Sequence, residues 1–487
     1  MNPSETTSWN NVRAAFKKIW GYDDFRPPQG EIIRSLLAQR DALIIMPTGG
    51  GKSICFQLPA LLQTGLTLVV SPLVALMENQ VKELRDRNLP AALLHSELPT
   101  HQRWQTLKQL ERQQLRLLYL SPETLLSAPI WERLCQPQLK INALILDEAH
   151  CLVQWGETFR PAYRRLGAVR QALLKVKQPG TQIAIAAFTA TADPSAQQTI
   201  QQVLQLQQPA LFRQNPYRQN LHLKVQMIWT PRGRRQQLLK FIQAKPGQSG
   251  LIYVRTRRDS ESLAQSLGQL GNATAAYHAG LSPDERRSIE ASWLSGAMPF
   301  VVCTSAFGMG INKPDVRWVA HFHAPLLLSE YVQEIGRAGR DGKASIALVL
   351  VSEPTGWLDP EDKQRQRFFE EKLRLQHQKA LQLAKKLPVR GEVSTVARQF
   401  PDGAIALALL HSAGKLDWQG PFDYVIHQAP RLQFAAQFHR ARQMAEYLNT
   451  RQCRWQFLLN AFGFNEEAAN LSCGHCDCCT NRCGKTS

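Results

Sequence analysis

Apolar residues fall in short unbroken runs rather than in alternation. Five such runs occupy 42–46, 67–71, 116–120, 143–146 and 183–188. Continuous apolar runs of this length predict strands covered on both faces, as in a parallel sheet. Polar segments of helical length separate them, among them 75–87 and 101–114. The alternation predicts a doubly wound α/β domain with ligands at the carboxyl ends of its strands. Ahead of it, Trp9, Phe16, Ile19, Trp20, Ile32, Ile33, Leu36 and Leu37 recur at mostly helical spacing around a Pro-Pro loop. Residues 205–220, with Pro209, Asn215, Pro216 and Asn220, read as a linker. A second α/β pattern follows, with strands at 250–254, 300–304, 317–322 and 345–351.

The last third changes character. Residues 360–387 predict one long amphipathic helix. Val393–Phe400 and Ala404–Ser412 predict two short helices around Pro401-Asp402-Gly403, and 415–419 and 423–427 two short strands. Helix, turn, helix, hairpin is the order of a winged helix. A small packing module that touches no DNA has the same order. The second helix carries almost no basic or amide groups, which argues against reading of a major groove.

Charge adds a partner class. Lys and Arg total 58 against 39 Asp and Glu, a formal charge of +19, which suits a polyanion such as nucleic acid. An anionic membrane is the rival, but no apolar run approaches the about 20 residues of a spanning helix. The N-terminus has neither a basic start nor an apolar core, so no secretory signal is expected. A cytoplasmic protein with reduced thiols follows. The Arg232, Arg234, Arg235 and the Arg255, Arg257, Arg258 clusters suit phosphates, although solvated charge is their default.

Two motifs carry chemistry. After the first strand comes Thr48-Gly49-Gly50-Gly51-Lys52-Ser53, then helical residues. Glycines let backbone N–H groups approach a polyphosphate at a helix N-terminus. Lys52 can reach its terminal phosphates and Ser53 can ligate Mg²⁺. The strict phosphate-loop pattern asks for Gly where Met46 stands, and a simple glycine turn is the plainer alternative. The strand at 143–146 removes that alternative by ending in Asp147-Glu148-Ala149-His150. Asp147 would hold the metal and Glu148 would polarise the attacking water. Downstream, Gln333, Arg337 and Arg340 lie on a Gly-punctuated helix, the arrangement of arginine fingers aimed at a triphosphate. Trp155, Phe159 and Arg160 follow the carboxylates in a stretch with too many breakers for a core element. Aromatic faces there would stack on bases, at about 1–3 kcal/mol each.

Six of the ten cysteines crowd the end of the chain. Cys473, Cys476 and Cys479 with Cys453 supply four thiolates, enough to close a structural Zn²⁺ tetrahedron. Cys478 and Cys483 are spare, and His475 is an alternative ligand.

Gly-Lys-Ser, Asp-Glu-Ala-His, Thr189-Ala190-Thr191 and Gln333–Arg340, in this order, resemble the superfamily 2 helicases. The stretches Asp147–Pro161, Ala306–Arg317 and Phe25–Gln29 narrow the resemblance to the RecQ family, over about 10–352 and again near 440–479. The resemblance implies two RecA-like lobes and an ATP-dependent helicase moving 3′ to 5′ on single-stranded or partly duplex DNA, in repair or recombination. It implies that Tyr22, Arg26 and Gln29 bind adenine, that Arg340 is the finger with Gln333 and Arg337 beside it, and that Gln154, Trp155, Phe159 and Arg160 couple DNA binding to hydrolysis. It supports the same four zinc ligands. Expected divisions are 1–207 and 208–352 for the lobes, 353–437 for a helical region with a winged-helix-like insert, and 438–487 for the zinc module. The family's zinc module usually follows the second lobe closely, with a winged helix and an HRDC domain after it. Here about a hundred residues intervene, and neither later domain is expected. A monomer is expected, with no protein partner indicated. An RNA-remodelling ATPase and a binding module with a vestigial ATPase are the alternatives.

Overall fold

The computed structural model describes residues 8–156, 159–307, 311, 313–427 and 435–483, without the side chains of 435–441 and 481–483. Glu157, Thr158, Gly308, Met309, Gly310, Asn312 and the Cys483 thiol, which belong to stretches singled out above, lie outside that set. The chain forms two compact units. One comprises Met1–Gln214 with Leu375–Gln433, the other Asn215–Arg374 with Phe434–Ser487.

The first unit is built on seven parallel strands: β1 (Ala42–Ile45), β2 (Leu66–Val70), β3 (Ala91–Leu94), β4 (Leu117–Leu120), β5 (Ile141–Leu146), β6 (Ala184–Thr189) and β7 (Ala210–Arg213). Their order is β3-β4-β2-β5-β6-β1-β7. Side chains of β1 alternate between two cores, Leu43 and Ile45 on one face, Ala42 and Ile44 on the other. That is why the run is apolar throughout. β7 lies within the stretch read as a linker and pairs with β1, Ala42 opposite Ala210. It is an edge strand whose residues are only partly buried, so its sequence lacks a continuous apolar run.

The foot of β1 is fixed by Asp41, which is buried. Its two oxygens accept from Arg170 at 2.7 Å, from the Ile185 N–H at 2.8 Å and from the Gln207 N–H at 2.6 Å. One carboxylate thus joins the entry to β1, strand β6, the helix Gly167–Leu174 and the approach to β7.

The second unit holds six parallel strands, β8 (Leu221–Ile228), β9 (Gly250–Tyr253), β10 (Ala276–Tyr277), β11 (Phe300–Cys303), β12 (Trp318–His321) and β13 (Ser345–Ser352). Their order is β10-β11-β9-β12-β13-β8. The two doubly wound parallel sheets expected from the sequence are therefore both present. Arg234, expected at the surface, is fully buried and holds Asp359 and Asp362 at 3.0 and 2.9 Å. Its partners lie far along the chain, which no local pattern reveals. Arg232 and Arg235 are exposed.

A helix spans Glu361–Ala384, and the division between the units falls within it. After it, β14 (Arg390–Glu392), the helices Val393–Gln399 and Gly403–Ser412, β15 (Leu416–Trp418) and β16 (Asp423–Ile426) form the winged-helix order. The three strands are antiparallel, with β16 in the middle. This module belongs to the first unit.

Replacing Asp41 by Ala leaves Arg170 buried without its carboxylate. A loss of about 3–5 kcal/mol is expected, read as an earlier denaturant midpoint for the first unit.

Candidate active site and metal centre

The phosphate loop leaves β1 and enters the helix Lys52–Leu62 through Gly51, whose φ is 77°. Gly49 is also left-handed, at 86°. A side chain at Gly51 would begin 2.3 Å from the Gln29 amide nitrogen, so only glycine fits. Gln29 is buried here: its carbonyl accepts from the Arg26 N–H at 3.0 Å and its NH₂ donates to the Gly50 carbonyl at 2.9 Å. The residue singled out for an adenine edge therefore also clamps the loop. Arg26 is exposed and Tyr22 half exposed, its ring 5.7 Å from that of Phe16. Thr48 and Ser53 are partly buried on either side of the glycines.

Lys52 Nζ has no hydrogen-bond partner among the described residues and stands 3.9 Å from Glu148 Oε1. An ammonium left in this state suits an anionic ligand. Asp147 and Glu148 follow β5, both buried. Asp147 accepts from the Glu148 N–H at 3.0 Å and from Gln80 at 3.3 Å. Burial, then the charge of Glu148, pushes Asp147 up to about 6. Two adjacent buried carboxylates facing a lysine form a site that a divalent cation would relieve. Glu148 sits at φ 50°, in the left-handed region.

The carboxylates are wired to the end of β6. His150 Nδ1 lies 3.3 Å from Glu148 and 3.2 Å from Thr189 Oγ1. Thr189 in turn accepts from the Thr191 N–H at 3.2 Å. The sequence marked Thr189 and Thr191 only as part of a motif that carries the family resemblance; neither this relay nor Gln80 was foreseen.

Beyond them, Gln154 and Trp155 are partly buried, and Trp155 packs against the sheet's core. Phe159 is 72% exposed, its ring 5.9 Å from Trp155 and nearly perpendicular to it. Arg160 does not project into solvent. It makes a two-pronged ion pair with Glu123, at 3.0 and 2.5 Å, and donates to the Pro72 carbonyl. Arg160 thereby ties together the loops after β2 and β4, and Ser121 caps its own helix at Thr124.

In the second unit, Gln333 lies on the helix Leu328–Ile335, with Arg337 buried and Arg340 part-buried just after it. Arg340 donates to the Ile311 carbonyl at 3.4 Å. Gly339 is left-handed, and a side chain there would begin 2.3 Å from Ser345 Oγ. Its carbonyl accepts from Arg218 and from Asn220, the latter at 2.8 Å. Residues of the presumed linker therefore hold the arginine turn. Burial pushes Glu334 up, but Arg255, His321 and Arg337 outweigh it and hold the carboxyl below its ordinary value.

The sulfurs of Cys453, Cys473, Cys476 and Cys479 lie within 4.8 Å of one another. Zn–S bonds of about 2.3 Å require sulfurs about 3.8 Å apart, and Cys473–Cys479 and Cys476–Cys479 stand at 3.9 and 3.4 Å. Backbone N–H groups point at the sulfurs, from Cys473 to Cys453 at 3.4 Å and from Cys476 to Cys473 at 3.2 Å. The donor set fits zinc. Cys478 points to the Thr450 carbonyl, 3.6 Å away, and His475 to the Cys473 carbonyl, 2.6 Å away. The cluster is fastened to β8: Asp477 accepts from the Val225 N–H at 2.9 Å, and Trp455 donates to the Leu221 carbonyl at 3.1 Å.

The family descriptions that match are DEAD/DEAH box helicase over 26–200, helicase conserved C-terminal domain over 233–342, and RecQ zinc-binding over 422–480. The ATP-dependent DNA helicase RecQ of Synechocystis sp. is 54% identical over 479 residues, covering 97% of this chain and 99% of the relative. That of Haemophilus influenzae is 40% identical, covering 72% and 56%. The ATP-dependent DNA helicase Q5 of Rattus norvegicus is 41% identical, covering 69% and 35%. Among solved structures, helicase Lhr of Mycobacterium smegmatis matches with a TM-score of 0.56 at 20% identity, over 72% of this chain and 48% of that one. A DEAD-box helicase matches with 0.59 at 18%, over 70% and 73%. Both support the fold alone. Among the described residues no helix is long and apolar enough to cross a membrane.

Replacing Cys476 by Ser is expected to remove stoichiometric zinc, measured by elemental analysis, and to lower the melting temperature.

Proposed function

The chain belongs to the RecQ family and is an ATP-dependent DNA helicase; from that premise we propose that it moves 3′ to 5′ on single-stranded DNA and opens partly duplex DNA during repair or recombination. The observation that carries the ATP-driven part of the reading is the group of part-buried Lys52 with buried Asp147 and Glu148 behind a left-handed glycine loop. The RNA-remodelling alternative is not favoured, because the relatives matched over most of this chain bear DNA helicase names.

In this reading, the N–H groups of Gly49–Ser53 and the Lys52 ammonium hold the phosphates of ATP. Ser53 and Asp147 hold Mg²⁺, which when bound supplies charge neutralisation at the phosphates. Glu148 orients and deprotonates the attacking water. The His150–Thr189 relay keeps Glu148 in register with the strand-end loops. Gln333, Arg337 and Arg340 answer the charge that builds on the transferred phosphoryl group. Tyr22, Arg26 and Gln29 take the adenine. Phe159 stacks on a base, and Gln154, Trp155 and Arg160 carry that contact to the carboxylates nearby in sequence. The four thiolates hold a structural zinc. A cytoplasmic location fits these partners.

Glu148→Gln is expected to lower DNA-stimulated ATP turnover by about 10²-fold or more while nucleotide still binds. Phe159→Ala is expected to weaken stimulation by single-stranded DNA and leave turnover without DNA unchanged. Unwinding assays on 3′-tailed and 5′-tailed duplexes test direction; opening of the 5′-tailed substrate alone would overturn the polarity proposed. Equal stimulation by single-stranded RNA would overturn the choice of DNA.

A further inference from the structure

The winged-helix-like module has an unusual second helix. In Gly403–Ser412, Ala406, Leu407, Ala408, Leu409 and Leu410 are all buried. Five successive buried positions cover the whole circumference of the helix over that stretch, and the part-exposed first turn, Ala404 and Ile405, carries no group that reads a base edge. Gly403 shows how closely it packs, since a side chain there would begin 2.6 Å from Val396 Cγ1.

One surface it packs on is the turn Pro161–Arg165, which directly follows Phe159 and Arg160. Arg165 donates to the Pro421 carbonyl at 3.1 Å. Phe422 sets its ring edge-on to Trp131, at 5.4 Å and 75°. His411 lies beside the buried Arg164; burial first, then that guanidinium, pushes it down to about 4, so it stays neutral beside the cation. The Arg164 stem reaches back to the aromatic loop, its Cγ 3.5 Å from where a side chain on Gly156 would begin. A continuous line of contact runs from the module through Arg164 and Arg165 to the loop.

We propose that this module is a brace rather than a DNA reader: it grips the turn Pro161–Arg165, sets the positions of Trp155, Gly156, Phe159 and Arg160 beside that turn, and makes Arg165 and Phe422 positioning residues for DNA-stimulated ATP hydrolysis. The inference rests on the reading of that loop as the sensor of single-stranded DNA. A loop that must respond to a bound strand needs one wall that does not move, and a packed apolar module provides it. Losing the wall costs responsiveness, not the chemistry at Glu148.

The test uses the full chain and an oligothymidine strand. Arg165→Ala and Phe422→Ala are made singly and together, beside Phe159→Ala and the conservative Phe422→Tyr. ATP turnover is measured without DNA and across a DNA titration. The brace predicts DNA-free turnover within twofold of wild type. Stimulation falls at least fivefold in the alanine variants, the double variant falls by less than the product of the singles because both contacts hold the same Pro421-Phe422 corner, and Phe422→Tyr recovers it. Exposed Arg390 and Arg398, replaced together by Ala, leave DNA affinity by fluorescence anisotropy within threefold. If Phe159→Ala loses stimulation while Arg165→Ala and Phe422→Ala keep it, the brace is wrong and the sensor stands. If Phe159→Ala keeps stimulation, the sensor reading fails and the brace falls with it. Parallel loss of both turnovers in Phe422→Ala that Phe422→Tyr does not restore, or a tenfold loss of DNA affinity in the Arg390 and Arg398 variant, overturns the brace as well.

Discussion

A buried carboxylate that gathers an arginine and two backbone N–H groups fixes where β1 begins. Asp41 does this at the foot of the strand that delivers the phosphate loop. A four-residue strand has little length with which to hold its own register, and a slip of one residue would exchange its two faces. Because Leu43 and Ile45 belong to one core and Ala42 and Ile44 to the other, such a slip would misfit both layers at once. The polar anchor and the two-sided core specify the same register. The positions of Gly49, Gly51 and Lys52 relative to Asp147 follow from it.

Legibility in the sequence tracked burial with one exception, β3, which is buried throughout but is a short run of two alanines and two leucines and was not read as a strand. β1, β5 and β6 were readable because both faces of each are covered, so their residues form apolar runs. β7 and β8 were not, because they are edge strands with part-exposed faces, which carry Arg213 and Lys224. The glycine loop, the carboxylate pair and the four thiols were readable because their chemistry demands particular residues at close spacing. Arg234 was not, because its carboxylate partners lie 125 and 128 residues away. Gln29 shows a third kind of gap: its residue type was noticed, but an amide can donate and accept at once, and nothing local shows that the Arg26 and Gly50 backbone engages one donor and one acceptor of it.

Chain order and spatial order part company in the last third. The winged-helix order was visible, and so was the apolar character of its second helix. Its place was not. The module stands between the second sheet and the thiolate cluster in sequence, yet it belongs to the first unit, while the cluster belongs to the second. The helix Glu361–Ala384 carries the chain from one to the other. Within the second unit the cluster covers β8, an edge strand, and satisfies one of its N–H groups through Asp477. An edge strand with unpaired backbone is a template for association with another chain, so the thiolates protect the sheet as well as shaping their own loop.

Glu148 is held at φ 50°, a backbone region that costs a side-chain-bearing residue about 1–2 kcal/mol. Glycine at this position would relax the chain and would be favoured by selection for thermal tolerance alone. Such selection would discard the carboxylate placed to activate water. Lineages that live hot therefore face a conflict here between durability and turnover. Their gains in durability must come from elsewhere in the sheet, and this residue would stay strained for as long as the motor is used.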